Sequence, residues 1–327
     1  MSFKEIIGQE SAIALLKRSF SIRRVAHAYV FLGPEGIGKK KTALSFTSLL
    51  ACEDTQKTDE ACGRCPSCLK ASSGAHPDIQ WVYPDGQFVK IDAIREACRR
   101  LSLKGFESSF KALVIPEAGA LNEESSNALL KTLEEPSRDS VIILIAPSIK
   151  SILPTIASRC QRVAFASLNP GALFKILQDK FEVGRQEAGY LAGISCGSLG
   201  LALHYHQKQL FARKDKIIDD ALNAGLRLDA FLDLSKHERT QKKDLIEEVL
   251  AVLSSWFRDI FIVQVSGQSD NCINAGRKDD IMRAARDLSL ADIEGRIKSI
   301  AESYEEIRRN VNVRLSLTKL RTELWKH

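Results

Sequence analysis

Residues 28–39 read AYVFLGPEGIGK, and this stretch decides the fold of the first half of the chain. Its apolar beginning, residues 28–32, predicts a short buried strand, and a helix is predicted from about residue 39 to residue 50. A strand, a glycine-rich loop and a helix in this order are typical of a P-loop, whose pattern is G-x-x-x-x-G-K followed by Ser or Thr. Backbone N–H groups and the helix dipole of such a loop favour a bound phosphate. The candidate phosphate-binding residues are Gly33, Gly36, Gly38 and Lys39.

Two side chains that a P-loop ATPase needs for Mg²⁺ are missing. Lys40 stands where the pattern has Ser or Thr, and an ammonium has no lone pair for a metal. A second, acidic ligand is expected after a neighbouring strand, but the strand predicted at 111–115 is followed by Pro116 and Glu117. Glu117 could still polarise a water. We therefore expect no productive binding of ATP with Mg²⁺ and no hydrolysis, while binding of nucleotide without Mg²⁺ stays open.

The rest of the first half alternates between apolar strands and amphipathic helices. Further strands are predicted at 111–115 and 140–146, and helices at 91–103 and from a cap at Asn122 towards Pro136. Alternation of this kind predicts an α/β P-loop domain with a parallel sheet and helices on both faces.

After about residue 166 the strand pattern ends and helices dominate. We predict one domain over 1–166, a small helical domain over 167–207 and an all-helical domain over 208–327. Apolar residues repeat at helical spacing in the last of these, at Leu245, Val249, Val252, Trp256, Ile260 and Val263 and again at Val313, Leu317, Leu320 and Leu324. Such stripes indicate the core of a helix bundle, and an interface with other subunits is the alternative.

Four of the eight cysteines are clustered, at Cys52, Cys62, Cys65 and Cys68. The last three are joined by two successive C-x₂-C spacings. Four thiolates in a short span suit a tetrahedral structural Zn²⁺, which leaves no open position for catalysis. We predict a zinc module at 52–68. An iron–sulfur cluster remains an alternative, and such a module could also bind nucleic acid.

Composition and charge are those of a soluble globular protein. Hydrophobic residues make up 44% and charged residues 27% of the 327 residues, which argues against disorder and suggests about two domains. The net charge of +6 permits a nucleic-acid partner without indicating one. Charges in the first ten residues argue against a secretion signal, and the longest apolar run, near 141–147, is too short to span a bilayer. We expect a cytoplasmic protein without a membrane partner.

These stretches together resemble the bacterial DNA polymerase III clamp-loader ATPase family, relatives of replication factor C. The resemblance covers nearly the whole chain and rests on segments that occur in order: IIGQE at 6–10, HAYVFLGPEGIGK at 27–39, the four cysteines, HPD at 76–78, NALLKTLEEP at 127–136, LPTIASRC at 153–160 and NVNVRLSL at 310–317. NALLKTLEEP and SRC are the most specific of them. The resemblance implies an AAA+ P-loop domain, a small helical lid domain and an all-α collar domain.

The family has two kinds of member with this layout. Gamma/tau subunits are the active ATPase motors, whereas delta prime subunits keep the fold and lose the ATP chemistry. Lys40 and Pro116 depart from the motor pattern, and Gly200 stands where motor subunits carry an arginine that senses the γ-phosphate. The chain is thus similar to the delta prime members, and an active gamma/tau-type ATPase is the alternative.

The resemblance also implies a role for Arg159, within Ser158-Arg159-Cys160. In the family this arginine points at the ATP of the adjacent motor subunit, as an arginine finger supplied in trans. An arbitrary arginine at a helix end would instead form an ordinary surface ion pair.

The partners implied by the resemblance are gamma/tau and delta subunits in a hetero-pentamer, and the sliding clamp and primer-template DNA through that complex. The implied function is a non-hydrolysing subunit of the DNA polymerase III holoenzyme that completes the ring and helps to load the clamp on primed DNA. A zinc-dependent DNA-binding module is a third hypothesis.

Overall fold

The computed structural model describes residues 2–54, 59–223, 239–308 and 313–324. The chain divides into two compact units, Met1–Leu168 and Asn169–His327. The first unit contains five strands, β1 (Ala28–Leu32), β2 (Ile79–Trp81), β3 (Lys111–Ile115), β4 (Ser140–Ala146) and β5 (Gln161–Ala164). Its α-helices are α1 (Glu10–Ser21), α2 (Lys39–Ala51), α3 (Pro66–Ser72), α4 (Ile91–Ser102), α5 (Glu123–Glu134) and α6 (Pro154–Ala157).

The five strands form one parallel sheet in the order β2-β3-β4-β1-β5. Strand β1 lies between β4 and β5, and Val30 is in register with Leu144 on one side and Arg162 on the other. All strands point the same way, so every loop that follows a strand leaves from the same edge of the sheet. The predicted α/β class with a parallel sheet is confirmed.

Helices cover both faces of the sheet, because successive strand side chains point to opposite faces. One core contains alternate residues of β1 and β4 packed with α1 and α2: Leu16, Tyr29, Phe31, Phe46, Leu49, Ile143 and Ile145. The other contains the intervening strand residues packed with α4, α5 and α6: Val30, Ile94, Leu101, Leu129, Ile142, Leu144 and Ile156.

Most of the elements predicted for this unit are confirmed. Strands β1, β3 and β4 have the predicted bounds, and Asn122 caps α5 by accepting a hydrogen bond from the Ser125 N–H at 2.9 Å. The sequence does not indicate β2 or β5. Strand β2 has only three residues, and the edge strand β5 buries only Val163, so neither produces an apolar run.

The described part of the second unit is helical. Its α-helices are α7 (Pro170–Phe181), α8 (Arg185–Ile194), α9 (Leu199–Gln207), α10 (Leu210–Asn223), α11 (Arg239–Ser266), α12 (Lys278–Asp287), α13 (Leu290–Arg308) and α14 (Val313–Leu324). Helix α11 packs against α8, α10, α12 and α13, and α14 packs on α13. Residues 310–312 of the NVNVRLSL segment lie outside the described residues. The boundary predicted at 207/208 remains a prediction.

Helix α11 is the centre of this unit. The predicted stripe is buried from Val249 to Val263, while Leu245 is half-buried. Within the described residues, one segment, Lys243–Ser266, is long and apolar enough to cross a membrane by length and composition. Of the apolar 18-residue window within it, 56% is buried inside the protein, and the fully buried side chain of Asp259 lies in the segment. These features are those of a core helix.

The Asp259 carboxylate anchors the segment between α11 and α12. It accepts hydrogen bonds from the Ile273 N–H at 3.0 Å, from the Asn274 N–H at 2.7 Å and from the Asn274 side-chain amide at 2.9 Å. The Arg258 guanidinium, 2.8 Å away, supplies a compensating charge. A buried carboxylate is stable only with such partners, so this network fixes the return of the chain onto α11.

We expect Asp259→Ala to lower the free energy of unfolding by about 3 kcal/mol, because several buried donors lose their acceptor. Urea unfolding followed by tryptophan fluorescence measures the change, since Trp256 is buried on the same helix.

The matched control is Asp270→Ala, which removes an exposed carboxylate 3.4 Å from the Lys278 ammonium. It should change the free energy of unfolding by less than about 0.5 kcal/mol. Equal effects of the two variants would contradict an anchoring role for Asp259.

Candidate functional site

The glycine-rich loop lies at the carboxyl edge of the sheet, between β1 and α2. Gly33 and Gly38 have φ values of 148° and 101°, which favour glycine. A Cβ on Gly33 would lie 2.5 Å from the Phe165 carbonyl oxygen. Gly38 is the N-cap of α2, so the loop ends at a helix N-terminus, as a P-loop does.

Lys39 is buried inside this loop, with 6% of the residue exposed. Its ammonium donates hydrogen bonds to the carbonyl oxygens of Gly33 and Pro34. In a nucleotide-binding P-loop the equivalent lysine reaches the β- and γ-phosphates. Here a phosphate would have to replace two carbonyl partners of Lys39.

Gln9 ties the loop to the chain beyond β5. Its buried side-chain amide donates to the Ile37 carbonyl at 3.1 Å and to the Ala166 carbonyl at 2.8 Å, and its oxygen accepts from the Ala166 N–H at 3.1 Å. The sequence placed Gln9 in the IIGQE segment but did not indicate this role. Residues 9 and 166 are 157 positions apart, and no local pattern reports such a contact.

Lys40, at the position where a P-loop ATPase has its Ser or Thr ligand for Mg²⁺, forms an ion pair with Glu117. The Lys40 Nζ lies 3.5 Å from the Glu117 Oε1, and both side chains are 55% exposed. Pro116 comes directly after β3 and is buried. An exposed pair of this kind stabilises the fold little. It does place a positive charge beside Glu117, which disfavours a divalent cation there.

Arg159 lies between α6 and β5, at the amino ends of the parallel strands, whereas the glycine-rich loop lies at their carboxyl ends. The Arg159 NH2 donates to the Glu134 Oε1 at 2.7 Å, and NH1 donates to the Thr155 carbonyl at 2.9 Å. The Arg159 side chain remains 37% exposed. Arg159 therefore forms an ion pair with Glu134, as expected for an ordinary arginine at a helix end.

The sheet separates Arg159 from the glycine-rich loop of its own chain. The loop follows β1 at the carboxyl edge, whereas Arg159 precedes β5, which is parallel to β1 and pairs with it. At a rise of about 3.3 Å per residue, four strand residues span about 13 Å. Arg159 and the loop are therefore not brought together within one chain.

Of the flanking residues, Ser158 is the C-cap of α6 and its hydroxyl lies 3.4 Å from the Arg159 NH1, while Cys160 is buried. Gly200 lies in the first turn of α9, which Ser198 caps by accepting from the Leu201 N–H at 3.1 Å. A glycine offers no side-chain charge at that position.

The four clustered cysteines form the candidate metal centre. The Sγ atoms of Cys52, Cys62, Cys65 and Cys68 all lie within 4.8 Å of one another. Tetrahedral zinc with Zn–S distances of about 2.3 Å would need sulfur atoms about 3.8 Å apart. Small movements of the thiols would reach that spacing, so these residues fit a metal ion.

Backbone N–H groups favour negative charge on these sulfur atoms. The Cys65 N–H donates to the Cys62 Sγ and the Cys68 N–H to the Cys65 Sγ, each at 3.4 Å. Hydrogen bonds from the Arg64 and Cys65 backbone lower the pKa of Cys62 to about 6. Burial raises the pKa of Cys68. A bound metal would compensate this burial, because metal ligation requires thiolates.

His76 supports the cysteine module without being one of its four candidate ligands. Its Nδ1 accepts from the Asp78 N–H at 3.1 Å, so Nε2 carries the proton and donates to the Ser67 hydroxyl at 2.9 Å. That hydroxyl donates to the Ala51 carbonyl at 2.7 Å. Burial lowers the pKa of His76 and favours the neutral ring. Ser67 therefore ties the end of α2 to α3, and His76 of the HPD segment holds the Ser67 hydroxyl.

Comparisons with known proteins find relatives among the subunits of DNA polymerase III. A family profile described as DNA polymerase III, delta subunit, matches residues 8–169. The chain is 29% identical over 314 residues to the DNA polymerase III subunit delta' of Bacillus subtilis, covering 93% of this chain and 92% of that protein. It is 32% identical over 171 residues to the DNA polymerase III subunit tau of the same bacterium, covering 52% and 30% respectively.

Among solved structures, a DNA polymerase III gamma subunit-related protein from Thermotoga maritima is similar to the chain. The two are 17% identical with a TM-score of 0.44, and the similarity covers 96% of this chain and 98% of that one.

We expect the purified protein to contain one zinc ion per chain and Cys62→Ser to lose most of it, because one of four thiolate ligands is removed. Elemental analysis after gel filtration measures the metal content. The control Cys196→Ser changes an exposed cysteine outside the cluster and should retain zinc. Iron with visible absorbance would instead support the iron–sulfur alternative.

Proposed function

Because the chain belongs to the DNA polymerase III clamp-loader family, we propose that it is a member of the complex that does not hydrolyse ATP and serves the ATP site of a neighbouring subunit. Arg159 acts in trans as an arginine finger on the nucleotide of that neighbour. The chain completes the ring of subunits, and the complex then loads the sliding clamp on primed DNA.

The position of Arg159 at the sheet edge opposite its own loop carries this proposal. A finger must approach the γ-phosphate, which a P-loop would hold at the carboxyl edge. Arg159 lies at the amino edge, about the length of a strand away. A partly exposed guanidinium in this position suits the nucleotide of another subunit better than one in its own loop.

The state of the loop supports the absence of hydrolysis. Lys40 forms an ion pair with Glu117 where a metal ligand is needed, and Pro116 contributes no side-chain oxygen. Transfer of a phosphoryl group depends on Mg²⁺ to neutralise the developing charge. A loop that lacks both Mg²⁺ ligands still forms the turn from β1 into α2 but does not support ATP hydrolysis.

The partners follow from the same family membership. We propose a hetero-pentamer with gamma/tau and delta subunits in the cytoplasm, with the clamp and the primer-template DNA reached through the complex. Zinc at the four cysteines has a structural role in this proposal, because four protein ligands leave no open position.

An active gamma/tau-type ATPase is the second candidate function. The similarity to the Bacillus subtilis tau subunit, 32% over 171 residues, favours it. The ion pair of Lys40 argues against it, since a motor needs the hydroxyl of Ser or Thr at that position.

We expect the isolated chain to show no ATP hydrolysis above background, because both Mg²⁺ ligands are missing. The combined variant Lys40→Thr with Pro116→Asp restores both ligand types and should bind ATP more tightly with Mg²⁺ than without it. Isothermal titration and a phosphate-release assay measure the two effects. Hydrolysis by the unmodified chain that Lys39→Ala abolishes would establish the ATPase alternative.

We expect Arg159→Ala to lower DNA-stimulated ATP hydrolysis and clamp loading by a reconstituted complex. An arginine finger contributes roughly 10³- to 10⁵-fold to phosphoryl transfer, so the site that Arg159 serves should become nearly inactive while the other sites continue. The matched control is Arg162→Ala, an exposed arginine of the edge strand β5. Unchanged turnover and loading with Arg159→Ala would contradict the finger.

A further inference from the structure

We propose that Glu134 is a positioning residue that orients the Arg159 guanidinium for the neighbouring ATP site. This inference rests on the proposed function, since it concerns how the finger is held. Glu134 is the last residue of α5, within the NALLKTLEEP segment. It is 25 positions from Arg159 in the chain, so only the fold brings the two side chains together.

Two short hydrogen bonds, to residues of different helices, hold the guanidinium, and the Ser158 hydroxyl lies 3.4 Å from NH1. The Glu134 Oε1 accepts from NH2 at 2.7 Å, and the Thr155 carbonyl accepts from NH1 at 2.9 Å. The first comes from the end of α5 and the second from α6. Two anchors in two directions fix the plane of a guanidinium, whereas one anchor would leave it free to rotate.

The place of Glu134 on its helix supports a role for its charge. A carboxylate at a helix C-terminus faces the negative end of the dipole and destabilises the helix. Arginine at the same place is favourable, and Arg159 lies against the C-terminal ends of both α5 and α6. The contact with Arg159 offsets the unfavourable position of the Glu134 carboxylate.

The contacts leave the arginine able to act. A guanidinium has five N–H donors, and the bonds to Glu134 and Thr155 engage NH1 and NH2. The Arg159 side chain is 37% exposed, so it remains partly accessible from outside the chain. A donor that is oriented before the reaction stabilises transition-state charge without reorganisation. Glu134 itself does not touch the nucleotide in this arrangement.

The size of the effect follows from the exposure of the pair. Partly exposed ion pairs contribute little interaction free energy. If the whole of it serves to orient Arg159, its loss corresponds to a change in the rate of ATP hydrolysis of about two- to five-fold. The relevant quantity is the part of the ATPase rate that depends on Arg159, which is the difference between the unmodified complex and the complex with Arg159→Ala.

The test uses the reconstituted complex with DNA and compares Glu134→Ala, Glu134→Gln, Arg159→Ala and the double variant Glu134→Ala with Arg159→Ala. We expect Glu134→Ala to lower the Arg159-dependent kcat by about two- to five-fold at unchanged KM. Glu134→Gln keeps a hydrogen-bond acceptor and should recover part of the loss. The double variant should match Arg159→Ala alone, because Glu134 acts only through Arg159.

The control is Glu135→Ala, which removes the adjacent exposed carboxylate at the C-cap of α5 and should leave kcat unchanged. An equal loss with Glu135→Ala, an additive double variant or a raised KM would overturn the positioning role. If Arg159→Ala lowers turnover and Glu134→Ala does not, the positioning role is wrong and the finger stands. If Arg159→Ala has no effect, the proposed function fails and this inference fails with it.

Discussion

The pairing of β1 with β4 on one side and β5 on the other is the constraint on which the rest of the first unit depends. Strands that run parallel send their following loops to one edge and receive their preceding segments at the opposite edge. The glycine-rich loop after β1 and Arg159 before β5 are therefore held at opposite edges. A rotation of side chains does not bridge that distance.

The loop itself is kept in place by contacts that need no nucleotide. Gln9 bonds to the Ile37 and Ala166 carbonyls, and Lys39 bonds to the carbonyls of Gly33 and Pro34. Lys40 pairs with Glu117. A positive side chain thus stands beside this carboxylate. The carbonyl groups of Gly33, Pro34 and Ile37 in the loop that joins β1 to α2 thus accept hydrogen bonds from side chains of the protein.

Buried polar groups fix the irregular segments in both units. In the first, burial opposes the charge of Asp78, but three backbone N–H groups, from Phe106, Glu107 and Ser108 at 2.8 Å, outweigh it and lower its pKa. In the second, Asp259 accepts hydrogen bonds from the Ile273 and Asn274 N–H groups in the segment before α12. A carboxylate that accepts several backbone N–H groups can order a segment that has no regular structure of its own.

The sequence by itself determined the strands β1, β3 and β4, the helices that alternate with them, the cysteine cluster and the absence of a side-chain oxygen at Lys40 and Pro116. Each of these depends on residues close together in the chain, so periodicity and spacing report them. Only the tertiary structure decided the strand order, the edge strand β5, the hydrogen bonds of Gln9 to Ile37 and Ala166, and the contact of Glu134 with Arg159. These depend on which distant segments pair, and a short edge strand or a single polar side chain leaves no periodic signal. The position of Arg159 at the amino edge of the sheet follows from the pairing of β5 with β1. No local sequence pattern indicates it.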